Sequence, residues 1–240
     1  MNYETIFRER GGAYHDAMTR WPDARRDEFL IPLQKARLVG SETVIDVPAG
    51  GGYLERYLPS SCRWLGHEPS ASFLEGAAPD SALLPLPWRD GFAQVAFSIA
   101  GLHHIADKRP FFAEVHRVLS PGGRFVLADA HRGSQVARFL DEFVGRYNST
   151  GHEGDYLHEA TLDELAGVGF VVTEAQRSPY CWWFADRSEM AAFCRLLFDV
   201  RDVDNATVAK AIEEYLGVVE RDGAVGMNWE LLIARCDRRD

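Results

Sequence analysis

The sequence predicts an α/β fold in which helices cover both faces of a doubly wound, mostly parallel sheet of seven strands. Two patterns support this prediction. Short apolar, β-branched runs alternate with helical segments from residue 43 onward, and the glycines at 50–52 closely follow the first of these runs. The chain has 240 residues, which is enough for a large apolar core. We therefore expect a single domain over residues 1–240.

The seven predicted strands are short and rich in apolar or β-branched residues. They lie at 43–47, 63–67, 82–84, 93–99, 124–128, 170–175 and 228–235. Helical patterns separate most of them, at 53–58, 70–76, 108–119, 135–147 and 161–167. Thr161, with Glu164 three residues later, is the expected cap of the last of these helices. Because parallel strands need long crossover connections, this alternation favours parallel pairing.

Both ends of the chain carry helical segments outside this alternation. Residues 1–40 are predicted to form an N-terminal helical cap. Two amphipathic helices, at 186–199 and 205–220, precede the last strand. They extend the chain without starting a new core, so residues 178–222 are predicted to be a helical lid, which could also form a homodimer interface.

Composition excludes several classes of partner. Lysine and arginine total 26 against 36 acidic residues, and a net charge of −10 argues against nucleic-acid binding. The longest apolar stretch has about ten residues, whereas a membrane span needs about 20, and the first residues lack a signal segment. The four cysteines are scattered without a CxxC pair. We therefore expect a cytoplasmic protein with reduced thiols and no membrane partner.

The glycine turn is the clearest sign of a ligand site. Asp46 ends the first strand, and the glycines after it let the backbone approach a ligand closely. Glu68 ends the second strand, where a carboxylate can bind both hydroxyls of a ribose. These features fit either a nicotinamide dinucleotide or S-adenosylmethionine. The third glycine of a dinucleotide fingerprint is missing, and Glu55 disfavours a pyrophosphate at this turn; both facts favour S-adenosylmethionine.

At this point the sequence resembles a known family, the class I S-adenosylmethionine-dependent methyltransferases. Residues 44–52 (VIDVPAGGG) are similar to the first motif of that family, and residues 66–70 (GHEPS) to its second-strand acid motif. Asp80 and Ser81, with 84–86, resemble the adenine-contacting segment. Residues 102–104 and 114–124 resemble the segment that leads into strand five. The resemblance covers about residues 40–130, with a similar ending at 228–235.

The resemblance implies a Rossmann-like fold and S-adenosylmethionine as the cofactor, with S-adenosylhomocysteine as the product. The cofactor contacts that it implies are Tyr14, Asp46, Pro48, Gly50, Gly52, Glu68, Pro69, Asp80, Ser81, Ala100 and His103. One departure lies in the first motif, where Pro48 and Ala49 replace the usual glycine and the residue after it. Proline cannot donate a backbone hydrogen bond, so we expect the contacts of this loop with the methionine part of the cofactor to differ from the family pattern.

Three histidines are candidates for a catalytic base, because a histidine pKa suits proton transfer near neutral pH. They are His103, His104 and His131. The residues expected to line the substrate pocket are Tyr156, His158, Trp182 and Trp183. No metal site is expected, since His152 and His158 on their own offer too few converging ligands.

The predicted function is transfer of a methyl group from S-adenosylmethionine to an oxygen, nitrogen or carbon atom of a small-molecule acceptor. In-line positioning and exclusion of water supply most of the catalysis, with a histidine base where the acceptor must lose a proton. Two alternatives stay open. Attack at another sulfonium carbon would give alkyl transfer or cyclisation and release methylthioadenosine. A catalytically silent, methyltransferase-like binding protein would bind the cofactor or a partner without turnover.

Overall fold

A mixed sheet of seven strands lies at the centre of the structure, a computed structural model that describes residues 3–73 and 81–239. The strands are β1 (Thr43–Asp46), β2 (Arg63–Gly66), β3 (Ala93–Ile99), β4 (Leu119–Asp129), β5 (Phe170–Phe184), β6 (Val218–Arg221) and β7 (Ala224–Arg238). Their order is β2-β1-β3-β4-β7-β5, and β6 pairs with β7. The three pairings among β1 to β4 are parallel, whereas β7 pairs antiparallel with β4, β5 and β6. The predicted α/β class and the strand count are confirmed.

The membership of the sheet differs from the prediction at one segment. Residues 82–84 form no strand. Pro85 and Pro87 follow directly, and proline has no N–H to donate to a β-ladder. The carbonyl groups of Ala82 and Leu83 instead lie 3.2 Å from Nε2 of His67.

The seventh strand comes from a region that the sequence pattern assigned to a helix. The predicted helix 205–220 ends at Tyr215, and Gly217 follows in the left-handed region with a φ of +80°. Residues 218–221 then form β6, which turns into β7 through Asp222 and Gly223. Both turn residues have positive φ, as a tight hairpin requires.

Helices cover both faces of the sheet. The α-helices are α1 (Tyr3–Arg20), α2 (Arg26–Ala36), α3 (Arg109–Val118), α4 (Gln135–Arg138), α5 (Gly145–Tyr147), α6 (Glu159–Gly167), α7 (Arg187–Leu197) and α8 (Asn205–Tyr215). Side chains of β4 alternate between two cores: Val126 packs with α1, α2, α7 and α8, and Phe125 and Leu127 pack with α3 and α6. This alternation is the two-residue period of a strand that is buried on both faces.

Four predicted helices differ in detail. The segments at 53–58 and 70–76 contain only short 3₁₀ turns, Glu55–Tyr57 and Ala71–Phe73, and residues 74–76 lie outside the described part of the chain. The predicted helix 135–147 runs from α4 to α5 through a π-helical segment, Phe139–Val144. Helix α6 begins earlier than expected.

The cap of α6 is His158 and not Thr161. The His158 side chain accepts a hydrogen bond from the backbone N–H of Ala160, and the Thr161 hydroxyl accepts one from the backbone N–H of His158. Thr161 therefore occupies the third helical position of a capping box, in which it completes the cap from the other side.

The two terminal helical segments are part of the main core. Helices α7 and α8 share a buried cluster with α1 and α2, and residues 178–184 continue β5. Glu28 of α2 lies fully buried, where its carboxylate accepts hydrogen bonds from Nε1 of Trp182, at 2.8 Å, and from the guanidinium of Arg25. This contact joins the N-terminal helices to the segment expected to be a lid. Closure of that lid over a ligand stays a prediction.

Glu28→Ala is expected to lower the free energy of unfolding by about 3–5 kcal/mol, because it leaves the buried Arg25 charge without its partner. The Trp182 N–H loses its acceptor at the same time. Urea unfolding followed by tryptophan fluorescence measures the change. The same substitution at the exposed Glu55 should change stability by less than about 0.5 kcal/mol. Equal losses at the two positions would show that the buried ion pair contributes nothing specific.

Two further sequence expectations can be compared with the fold. Within residues 3–73 and 81–239, none of the helices combines the length and the hydropathy that crossing a bilayer requires. All four cysteines are free thiols, as expected: Cys62, Cys181, Cys194 and Cys236.

Candidate active site

Three acidic residues and one residue with a strained backbone lie together at one edge of the sheet. Asp46 ends β1, Glu68 follows β2, Ala100 follows β3 and Asp129 ends β4. The four strands are parallel, so their carboxyl ends lie side by side. Ala100 has a φ of +52°, a backbone conformation that non-glycine residues rarely adopt and that concentrates at functional sites. In open α/β sheets this edge is where ligands bind.

The glycine turn brings the backbone onto Glu68. Gly50 and Gly52 have φ values of +54° and +77°, which favour glycine. The backbone N–H of Gly50 donates to the Glu68 carboxylate at 2.7 Å. Ser70 N–H and the Tyr3 hydroxyl donate to the same carboxylate at 2.9 Å and 2.8 Å. The Glu68 carboxylate thus accepts hydrogen bonds from three protein donors beside the turn.

A small cavity of about 40 Å³, here called the cofactor cavity, lies between this turn and α1. Five residues expected to contact the cofactor line it: Tyr14, Asp46, Pro48, Gly50 and Ala100. Its other walls are largely aromatic side chains from α1, α2 and the adjoining loops. The structure therefore brings five of the eleven predicted cofactor contacts to one cavity.

Asp46 lines this cavity, and Glu68 lies beside it at the glycine turn, where it accepts from Gly50. Burial raises the pKa of Asp46 to about 8, and nearby Glu68 adds to the rise. Burial also raises the pKa of Glu68 to about 7, although its hydrogen bonds from Ser70, Tyr3 and Gly50 oppose this. A cation bound beside them would favour the ionised carboxylates. The ammonium and sulfonium groups of S-adenosylmethionine have this property, and its ribose hydroxyls suit the Glu68 carboxylate.

The remaining predicted cofactor contacts lie around the cavity or outside the described chain. Gly52 packs against Trp64, since a Cβ placed there would meet the indole at 3.1 Å. The backbone N–H of Ser81 donates to the carbonyl of Pro69 at 2.9 Å, which holds these two residues together. Asp80 lies outside the described residues.

His103 is fixed by a buried carboxylate. Its Nδ1 lies 2.7 Å from Oδ1 of Asp129, and its backbone N–H donates to Oδ2 of the same residue at 3.0 Å. Although burial opposes ionisation, His103 and two backbone donors hold the pKa of Asp129 below its ordinary value. Ionised Asp129 accepts, so Nδ1 of His103 carries a proton and Nε2 is the ring nitrogen left for another partner.

Two more histidines lie against His103. The ring centroids of His104 and His152 are 4.1 Å and 5.5 Å from that of His103, and 5.3 Å from each other. Burial holds the pKa of His104 well below its ordinary value, and the neighbouring His103 and His152 add to this effect. Burial also lowers the pKa of His152, although Asp141 opposes the shift. These rings are therefore neutral near neutral pH.

His152 has its own carboxylate partner. Nδ1 of His152 lies 3.1 Å from Oδ1 of Asp141, which also accepts from the Tyr156 hydroxyl at 2.6 Å. Asp141 belongs to the π-helical segment, and such segments are frequent at functional sites. Gly145 lets the loop approach this helix, because a Cβ there would lie 2.7 Å from the carbonyl oxygen of His152. The helix and the loop thus orient His152 together.

The three histidines separate two spaces. An outer cleft of about 1150 Å³ opens to solvent, and an inner cavity of about 40 Å³ lies toward α1 and β7. His103, His104 and His152 line both. The inner cavity also contains Arg10 and the indole of Trp182. Tyr14 and Ala100 line both the inner cavity and the cofactor cavity, so the histidines adjoin the cofactor cavity.

The structure places other predicted residues away from these cavities. Nδ1 of His131 accepts from the Gly133 N–H at 3.0 Å, and its Nε2 lies 3.8 Å from Glu159. His158 caps α6. Tyr156 lies behind the histidines, bonded to Asp141. Trp183 faces a surface groove opposite to Trp182, because adjacent residues of a strand point to opposite faces. Only Trp182 of the predicted pocket residues lines the inner cavity.

Sequence reasoning missed Arg10, Asp129 and Asp141 as site residues and expected no metal site at His152. Asp129 could have been found, because it ends a strand at the same edge as Asp46. Asp141 lies inside a predicted regular helix and gave no signal. Arg10 lies in a segment without a recognisable motif, and only packing brings it to the inner cavity.

Part of the chain is similar to known methyltransferases. The family model described as "Methyltransferase domain" matches residues 45–127. An uncharacterised methyltransferase of Synechocystis is 31% identical over 120 residues, which cover 43% of this chain and 54% of that protein. YcgJ, an uncharacterised methyltransferase of Bacillus subtilis, is 24% identical over 178 residues, 68% of each chain. This chain thus spans about half the length of the Synechocystis relative that it matches.

Solved structures share the fold. The crystal structure of YcgJ superposes with a TM-score of 0.62 at 14% identity, covering 90% of this chain and 99% of that one. The geranyl diphosphate C-methyltransferase of Streptomyces coelicolor, solved with Mg²⁺, geranyl diphosphate and S-adenosylhomocysteine, superposes with a TM-score of 0.55 at 17% identity. That match covers 89% of this chain and 79% of that one.

The fold is Rossmann-like, and residues 45–127 match a methyltransferase domain. These similarities support S-adenosylmethionine as the cofactor.

Proposed function

We propose that this protein transfers a methyl group from S-adenosylmethionine to a small-molecule acceptor whose nucleophilic atom lies at His103. One observation carries the proposal. Buried Asp46 of the cofactor cavity, Glu68 beside it and the Asp129–His103 pair lie at neighbouring strand ends of the same sheet edge. A cofactor and an acceptor bound at these two places are neighbours, as group transfer between them requires.

On the cofactor side, Asp46, Glu68 and the backbone of Gly50 hold S-adenosylmethionine. When bound, the cofactor supplies an electrophilic methyl group on a sulfonium. Burial raises the pKa of both Asp46 and Glu68, so the positive groups of the cofactor are what favour the ionised carboxylates beside them. Tyr14 and the other aromatic walls of the cofactor cavity exclude water.

On the acceptor side, His103 acts on the nucleophilic atom through Nε2. Asp129 holds the ring in one tautomer and one orientation, so little reorganisation is needed at reaction. His131, which lies outside both cavities, is the weaker of the predicted candidates. The outer cleft has room for the rest of a small molecule.

Arg10 sets the chemical class of the acceptor. Its side chain is 3% exposed, and its Nε and Nη1 lack a hydrogen-bond partner among the described residues. Burial lowers the pKa of Arg10 to about 10, so the guanidinium is still charged at neutral pH. An unpaired buried charge is costly unless a ligand satisfies it. We therefore assign to the acceptor an anionic group, such as a carboxylate, that pairs with Arg10, and an apolar body.

Arg10→Met is expected to weaken acceptor binding and leave cofactor affinity within about threefold. The lost charge-assisted pair should raise the acceptor KM by about 10- to 100-fold, since such hydrogen bonds contribute roughly 1.5–3 kcal/mol. Steady-state assays on a carboxylic acid and on its amide measure the effect. The wild type should prefer the acid and the variant should not. Equal preference in the wild type would remove Arg10 from acceptor recognition.

Calorimetric titration with S-adenosylmethionine and S-adenosylhomocysteine, followed by chromatography of reaction mixtures with a panel of small carboxylic acids, tests the proposed function. We expect binding of both and acceptor-dependent release of S-adenosylhomocysteine. Release of methylthioadenosine would instead establish the alternative chemistry at another sulfonium carbon. Binding without any product across the panel would favour the silent binding protein. A homodimeric state and a cytoplasmic location stay predictions.

A further inference from the structure

The three neighbouring histidines have the properties of a metal site. The ligand nitrogens of His103, His104 and His152 all lie within 4.8 Å of one another. Nitrogens that bind one zinc ion at about 2.0–2.1 Å lie roughly 3.4 Å apart in a tetrahedral site. Rotations of the imidazoles that bring the nitrogens together by about 1.4 Å or less are enough to bind one ion.

Carboxylates behind two of the rings support this arrangement. Asp129 binds Nδ1 of His103, and Asp141 binds Nδ1 of His152. Each carboxylate leaves the Nε2 lone pair of its histidine for another partner. A histidine that binds a metal usually donates its second ring N–H to a carboxylate or a carbonyl, which fixes the tautomer and raises the basicity of the ligand. Two of the three rings here already have that partner.

The third ring has no competing role. Within the described chain His104 makes only ring contacts, edge-on to Tyr3 and Phe7 and against the other two histidines. Purely structural histidines normally satisfy their ring nitrogens with protein hydrogen bonds. Within the described chain, neither ring nitrogen of His104 makes a hydrogen bond to the protein, so one of them can bind an ion.

Charge in the surroundings is compatible with a cation. Asp129 and Asp141 add two negative charges directly behind the ligands, and Arg10 adds one positive charge to the inner cavity. The sum is −1 before an ion binds. A divalent cation then leaves a net charge of +1, which suits an anionic acceptor.

We propose that His103, His104 and His152 bind one divalent transition-metal ion of the class that imidazole prefers, such as Zn²⁺, Co²⁺ or Ni²⁺. Three protein ligands leave a coordination position open toward the cavities. The acceptor's nucleophilic group occupies that position, so His103 acts on it through the ion and not directly, while Arg10 holds its anionic group. This role of the ion rests on the proposed methyl transfer, but binding of the ion does not.

Metal binding is tested without any assay of turnover. Untagged protein is stripped with a chelator and titrated with Co²⁺ and with Zn²⁺, by visible absorption and by calorimetry. We expect one equivalent of each, and visible d–d bands from bound Co²⁺. His104→Ala should lose at least about 100-fold in affinity, and Asp141→Asn about 10- to 100-fold. His116 of α3, which packs against Phe170 of β5, provides the matched control. His116→Ala should bind the metal as the wild type does.

Circular dichroism of each variant reports its folding. If His104→Ala does not fold, then His152→Ala and Asp141→Asn decide the question. Binding that is absent, far from one equivalent, or unchanged in the cluster variants would overturn the site. If the site binds metal but the stripped enzyme keeps its full turnover, the catalytic role of the ion is overturned and His103 acts directly. Metal binding without methyl transfer to any acceptor would refute the proposed function and leave the site intact.

Discussion

Asp46→Asn is expected to stabilise the ligand-free protein at pH 8 and to weaken S-adenosylmethionine binding by at least about 100-fold. The pKa of Asp46 is about 8 in the folded protein and about 3.9 in an unfolded chain. The folded state therefore holds the proton more tightly, and stability falls as pH rises from about 4 to about 8. Between pH 5 and pH 8 this costs the wild type about 3 kcal/mol.

Asparagine does not ionise, so the stability of the variant does not fall with pH in this way. The variant also loses the negative charge that would face the cofactor. Urea unfolding at pH 5 and pH 8 should show a stability gain for Asp46→Asn that grows by about 3 kcal/mol toward pH 8. Calorimetry gives the cofactor affinity at both pH values. Asp16 is an exposed acid on α1, and Asp16→Asn should change neither quantity. A stability difference that is the same at both pH values would show that Asp46 is already ionised in the ligand-free protein.

His103→Gln is expected to lower kcat by about 10²- to 10⁴-fold, the usual range for a positioned group that acts on a proton or a nucleophile. Glutamine approximates the size of the ring and can still donate to Asp129, so the fold and the cofactor cavity should persist. Affinity for S-adenosylmethionine should therefore stay within about threefold. Single-turnover kinetics and calorimetry on the same preparation separate the two effects.

Two comparisons make that result specific. His116→Gln, on the far side of the sheet, should keep wild-type turnover. Asp129→Asn should lose turnover to a similar extent as His103→Gln, because it removes the acceptor that sets the tautomer of the ring. Full turnover in His103→Gln would remove this histidine from the reaction, whatever its partner does.

The parts of the fold that were predictable from the sequence are those that local patterns determine. The apolar runs of β1 and β3, and the glycine turn after β1, depend on residues that are adjacent in the chain. The missing strand at 82–84 and the extra strand at 218–221 also had local signals. Paired prolines end one segment, and Asp222–Gly223 is a hairpin turn, but a helical pattern before that turn concealed it.

Only those residues of the candidate site that belong to a sequence motif were predictable. Asp46 and Glu68 follow strands in a recognisable order, and the structure places both at the same edge. The acceptor side arises from contacts between distant segments: His103 meets His152 across 49 positions of sequence, and Arg10 reaches the inner cavity from α1. No spacing rule relates such residues, so a single sequence gives no evidence that they meet.

The bond between Tyr3 and Glu68 has a consequence for how a ligand enters. Glu68 already accepts from three protein donors, and Tyr3, the first residue of α1, is one of them. In the proposed complex the ribose hydroxyls displace the phenol, so binding is an exchange of one donor for another and adds little net hydrogen bonding. We therefore expect the rate of cofactor association to depend on how often the first turn of α1 detaches from the sheet edge, and occupancy of the site to change the order of that turn.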